Sequence, residues 1–178
     1  MPENRPAADD LFPLEAFDDV LTANVDYART YANAHLTGKA RRELAVITCM
    51  DSRIDPLSVL GMQPGDVKIL RNAGARVTDD VLRTLVLATY LLGVRRVLVM
   101  PHTECRMASG SEADIHQAIW EKSHVDTRSV EIRTVTDQAS ALVTDVTRIR
   151  AYPLLPPDLV VAGALLDLRT GLLQPFDI

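Results

Sequence analysis

The sequence predicts an α/β fold: a central, mostly parallel β-sheet with an antiparallel C-terminal edge strand, flanked by helices. Three observations predict it. Short β-branched runs alternate with longer segments of helical periodicity, a pattern built from right-handed crossovers between parallel strands. The last two apolar runs meet through a tight Arg169-Thr170-Gly171 turn, which reads as a hairpin. The chain has 178 residues, enough for one domain with a real core.

Taken in order, Leu14, Phe17, Val20, Leu21, Val25, Ala28 and Tyr31 recur at helical spacing, so an N-terminal helix is expected over 14–34. Leu44–Thr48 is a β-branched run, and after the Gly61–Gly65 turn Val67–Leu70 is a second strand. Asp79–Leu92 is helical and stops at Gly93, with Thr78 as N-cap and Asp79 and Asp80 on the positive end of the helix dipole. Val97–Met100 is the third strand, and Glu112–Lys122 and Asp137–Ile149 are helices. The second of these helices carries Leu142, Val143, Val146 and Ile149 on one face. Leu159–Leu168 and Leu172–Phe176 close the chain as the hairpin. No repeat, low-complexity stretch or linker interrupts residues 1–178, which reads as a single domain whose residues 1–10 are expected to be flexible.

Composition excludes several functions. A net charge of -5 and the absence of a Lys/Arg patch argue against nucleic-acid binding. The N-terminus lacks the apolar core of a secretory signal, and no window approaches the roughly 18 apolar residues of a membrane span. A reducing, cytoplasmic setting is therefore expected. There, two well-separated cysteines are metal ligands or buried apolar groups more often than a disulfide.

Those two cysteines sit in short clusters beyond apolar runs: Cys49-Met50-Asp51-Ser52-Arg53 and His102-Thr103-Glu104-Cys105. In parallel sheets, ligands gather beyond the carboxyl ends of strands, where both clusters fall. Two thiolates and an imidazole make a three-ligand zinc site with one tetrahedral position open, the arrangement of catalytic rather than structural zinc. In an extended segment Cys49, Asp51 and Arg53 project to the same side. Arg53 can then hold Asp51 ionised through two parallel hydrogen bonds. Zinc brings the pKa of its bound water from about 15.7 toward about 7, giving a hydroxide nucleophile whose proton Asp51 can accept in a hydrogen bond. The remaining histidines, His35, His116 and His124, are expected to be exposed.

Cys-x-Asp-x-Arg followed by His-x-x-Cys resembles the signature of the β-class carbonic anhydrases, and the resemblance is closest to their short prokaryotic branch. It extends through Gly65–Gly74, Leu92–His102 and the segment from Pro153 to Gly171, covering about Leu44 to Phe176. The resemblance implies zinc-dependent, reversible hydration of carbon dioxide to bicarbonate and a proton. Cys49, His102 and Cys105 would bind one zinc ion per chain, with Asp51 and Arg53 as the orienting dyad. Asp51 would become a fourth ligand in a closed form. Asn72, Ala73 and Gly74 would line the substrate pocket, and helix 14–34 would pack on a partner in a homodimer or higher homo-oligomer. Two departures stand out: Arg106 occupies a position where the family usually has Gly, and Gly38–Leu44 lacks the Gln that plant-type members carry there. Hydrolysis of carbonyl sulfide or carbon disulfide on the same scaffold, and a non-catalytic zinc-stabilised regulatory role, are the alternatives.

Overall fold

The computed structural model describes residues 12–178, so the expectation for residues 1–10 lies outside the described residues. The chain divides into two compact units, one ending at Leu36 and one running Thr37–Ile178. In the first, α1 (Leu14–Arg29) ends earlier than its apolar spacing suggests. Thr30 leaves helical geometry there, and its hydroxyl donates back to the Tyr27 carbonyl. A separate 3-10 turn follows at Asn33–His35. No residue of α1 is buried, although Leu14, Phe17, Val20, Leu21 and Val25 lie along it.

The second unit is a five-stranded sheet in the order β2-β1-β3-β4-β5, made of β1 (Leu44–Cys49), β2 (Val67–Asn72), β3 (Arg96–Met100), β4 (Val160–Leu166) and β5 (Leu173–Phe176). β2, β1, β3 and β4 run parallel, and β5 pairs antiparallel with β4, as the sequence predicts. β2 runs two residues further than its apolar stretch because its ladder with β1 continues to Cys49 opposite Asn72. A short helix that the apolar pattern does not announce, α2 (Pro56–Leu60), begins with Asp55 as N-cap and ends at Gly61 in the left-handed region.

The period-two alternation of β1 divides the core between the two faces of the sheet. Ala45 and Ile47 join Val97, Val99 and Val161 against α3 (Asp79–Leu91) and α5 (Gln138–Arg150), which contribute Leu82, Leu85, Leu142, Val146 and Ile149. Leu44 and Val46 lie on the other face, with Ile54, Met100 and Leu166, and Val59 and Leu60 of α2 pack against them. Thr78 caps α3 by accepting from the Val81 amide, with Asp79 and Asp80 in the first turn as expected. α4 (Glu112–Ser123) opens with a Ser111/Asp114 capping box.

This strand order decides where the site can be. The chain leaves β1 toward β2 on one side and returns to β3 on the other. The connections therefore diverge above the carboxyl ends of β1 and β3 and leave a crevice there. Cys49 is the last residue of β1, and His102 follows β3 by two.

Candidate metal centre

β1 and β3 bring the two clusters together. Thr48, fully buried, donates to the Met100 carbonyl at 2.9 Å and ties the two strand ends just below the site. Beyond β3, the Leu166 amide donates to the Pro101 carbonyl and the Thr103 amide to the Leu166 carbonyl, both at 2.9 Å. His102 is thereby held against the end of β4. Cys105 directly precedes a 3-10 turn at Arg106–Ala108.

The ligand atoms of Cys49, His102 and Cys105 all lie within 4.8 Å of one another, and all three residues are buried. The two sulfurs are 3.9 Å apart, far beyond disulfide length. A tetrahedral centre with metal–sulfur bonds of about 2.3 Å separates two sulfurs by about 3.8 Å. His102 Nδ1 is 2.7 Å from the Thr103 carbonyl, which can only accept, so Nδ1 carries a proton and, in the neutral ring, Nε2 keeps a lone pair. That Nε2 is the single buried side-chain nitrogen or oxygen without a hydrogen-bond partner among the described residues. An orphaned lone pair beside two thiols is costly unless something binds it, and a soft divalent cation suits all three donors.

Negative charge at these sulfurs also calls for a cation. Burial pushes the Cys105 thiol above its ordinary range, partly offset by the Met107 amide, and the neighbouring Cys49 and Asp51 push it further. On the other sulfur, the Gly74 amide donates to Cys49 Sγ at 3.4 Å. Gly74 has φ of 80°, and a Cβ there would stand 3.2 Å from Met107 Cβ, so glycine both permits the turn and leaves room for the neighbouring loop.

Asp51 and Arg53 meet as expected, by a different route. β1 ends at Cys49, and the chain turns at Ser52–Arg53 instead of continuing extended. The Asp51 side chain builds the turn by accepting from the Arg53 amide at 3.0 Å, an Asx-type bond that strand alternation does not foresee. The guanidinium then closes on the carboxylate with Nε–Oδ1 at 3.0 Å and Nη2–Oδ2 at 2.8 Å. These bonds, the side-chain pair first and the amide second, hold the Asp51 carboxyl well below the usual carboxylate range. Asp51 Oδ2 also lies 3.8 Å from His102 Nε2, at the rim of the three-ligand cluster.

The surroundings hold residues that the motif reading did not single out. Arg71, on β2, donates to the Cys49 carbonyl at 2.9 Å and the Asp51 carbonyl at 2.6 Å, clamping the backbone on both sides of Met50. Arg76 and Asp145 form a largely buried pair at 2.7 Å, and Asp145 also accepts from the Val77 amide. Gln138 donates to the His102 carbonyl at 2.7 Å. None of them stands in a motif in the sequence, and only the fold brings each to the site. Asn72 bonds Arg76 at both backbone groups and so closes the loop that carries Gly74. Gly74 borders a small interior cavity of about 10 Å³, shared with Cys105 and Gln138. None of Asn72, Ala73 and Gly74 lines the open cleft of about 670 Å³ above the site, which is bordered by Asp51, Arg53, Cys105, Arg106 and Gln138. His35 and His124 are exposed as expected, whereas His116 is partly buried and bonded to Thr127 Oγ1 at 2.8 Å.

The family model for carbonic anhydrase matches residues 44–150, which span both ligand clusters and the sheet's first three strands. The chain belongs to the β-carbonic anhydrase family. Beta-carbonic anhydrase 1 of Mycobacterium tuberculosis is 33% identical over 158 residues, covering 88% of this chain and 95% of that one. The carbonic anhydrase structure from Streptococcus mutans superposes with a TM-score of 0.85 at 35% identity, over 90% of this chain and 97% of the other. A carbon disulfide hydrolase from Acidithiobacillus thiooxidans is 27% identical over 154 residues, covering 75% of this chain and 77% of its own. As a β-carbonic anhydrase, the chain pairs the family's sheet with a Cys-His-Cys cluster able to hold a metal. No helix among the described residues is long and apolar enough to cross a membrane.

Proposed function

We propose that this chain hydrates carbon dioxide reversibly to bicarbonate and a proton, with one zinc ion held by Cys49, His102 and Cys105. The observation that carries the reading is the unpartnered, lone-pair-bearing His102 Nε2 between two buried sulfurs, with an ionised carboxylate at its rim. Zinc held there would supply a coordinated water acidic enough to attack an electrophilic carbon near neutral pH. Asp51 can only accept, because its charge is locked in by Arg53, so Oδ2 would take a hydrogen bond from a water held there and orient its lone pair toward the carbon. Arg53 keeps both carboxylate oxygens oriented and offsets negative charge that would resist loss of the water's proton. The buried strand ends keep bulk water away from the ligands, while the cleft leaves one approach open. In the described conformation both Asp51 oxygens are engaged by Arg53, so ligation by Asp51 in a closed form requires that pair to break.

The exposed apolar residues of α1 support a homodimer, with that helix covering a second copy. A reducing cytoplasm suits the function, since it keeps both ligand thiols from oxidation. A second reading, hydrolysis of carbon disulfide, is favoured by the relatives of that name. Stopped-flow proton release from carbon dioxide, set beside sulfide release from carbon disulfide by the same preparation, tests both. Hydration at enzymatic rates with no sulfide release is expected; sulfide release without hydration would overturn the proposal.

A further inference from the structure

We infer that Gln138 is a positioning residue for the metal: its side-chain amide aims His102 Nε2 at the two sulfurs. The inference rests on the reading that Cys49, His102 and Cys105 hold zinc. Gln138 is the first residue of α5, immediately after the Asp137 N-cap, and its Nε2 donates to the His102 carbonyl at 2.7 Å. His102 is fully buried, and no other donor among the described residues reaches that carbonyl. The imidazole depends on the same stretch of backbone, because Nδ1 donates to the next carbonyl, that of Thr103. Thr103 is fixed in turn by its amide on Leu166 and by its hydroxyl, which accepts from the Leu168 amide at 3.0 Å. Three anchors therefore set the ring's direction, from β4, from the segment after β4, and from α5 through Gln138.

Without the Gln138 donor, the His102 carbonyl is buried and unpaired, and its peptide, then held only by the Thr103 amide on Leu166, is free to tilt toward another partner. Such a tilt displaces Thr103, whose carbonyl holds the ring through Nδ1. The partner of a ligating histidine's other ring nitrogen, here the Thr103 carbonyl, affects metal affinity by about 10- to 100-fold, and Gln138 acts through the backbone that places that carbonyl. α5 itself is held independently of Gln138. Asp137 caps its amides, its apolar face lies in the core, and Asp145 pairs with Arg76. A defect at Gln138 is thus separable from loss of the helix.

Two variants of the full-length chain test this. Gln138→Glu keeps shape but loses the donor, and a carboxylate in the first turn favours the helix dipole. Gln138→Leu removes the donor without adding charge. Zinc affinity is read by chelator competition, the ligand field by the visible spectrum of the cobalt(II)-substituted protein, and folding by melting of the metal-free forms. Both variants are expected to lose about 10- to 100-fold in zinc affinity and to change the cobalt spectrum, while metal-free melting temperatures stay near the wild type. Wild-type affinity and spectrum in either variant would overturn the inference, since a loss confined to Gln138→Glu would be an effect of charge. A wild-type chain that holds no zinc would instead overturn the reading on which the inference rests.

Discussion

Among single residues, the proposed hydration requires the Asp51 carboxylate to be held by Arg53 rather than by the metal. Asp51 takes bonds from the Arg53 amide and guanidinium, and Arg71 grips the carbonyls of Cys49 and Asp51. Asp51→Asn is therefore expected to keep full zinc content and lose on the order of 10²-fold or more in kcat/KM, read by stopped-flow hydration together with metal analysis. Wild-type activity in that variant would exclude an orienting role for Asp51. Arg53→Lys retains the charge but loses the two-point grip, so a smaller loss in kcat/KM is expected. The Cys49, His102 and Cys105 cluster was legible in the sequence because cysteine is scarce and its neighbours are chemically distinctive. The turn that joins Asp51 to Arg53 was not, because the extended reading ignored the Asx bond. Arg71 and Gln138 were invisible for a different reason: their roles exist only once β2 lies beside β1 and α5 begins beside His102.

The elements place these residues by packing, and each makes a separable contribution. Leu85, fully buried on α3 against the sheet, should cost about 2–5 kcal/mol as Leu85→Ala, and the loss of the Thr78 cap about 1 kcal/mol, both read by urea unfolding. Gly163 on β4 has no space for a methyl group, since a Cβ would come within 2.9 Å of Leu142 and Ile178. Gly163→Ala is expected to cost about 1–3 kcal/mol through overpacking under α5. Asp137, the α5 cap, has its carboxyl lowered mainly by the Ser140 hydroxyl and then by the Ser140 and Ala139 amides. A carboxyl lowered by folding adds stability above its unfolded pKa of about 3.9, and that stability is lost as pH falls through it toward the folded value. Asp137→Asn, which caps without titrating, should therefore flatten the fall in melting temperature over that window; an unchanged pH profile would count against the cap. Strand and helix identities followed from periodicity, which is why α3, α5 and the hairpin lie where expected. α2 escaped notice because five residues under a Pro start carry too little pattern to register.

For the molecule as a whole, no residue of α1 is buried although its apolar side chains are exposed, so association is expected to cover them. Sedimentation of the intact chain should give a dimer or a multiple of one, whereas removal of residues 1–36 should give monomer or precipitate; a soluble intact monomer would exclude the proposed role of α1. The sheet order explains why two clusters some fifty residues apart in sequence converge, because parallel β1 and β3 are direct neighbours ending at one level. X-ray absorption at the zinc edge of the purified chain reads that convergence. One zinc per chain is expected, with two sulfurs at about 2.3 Å and lighter ligands at about 2.0–2.1 Å, the sulfur signal halving in Cys105→Ser. A chain purified without zinc, or a shell of oxygen and nitrogen alone, would contradict it.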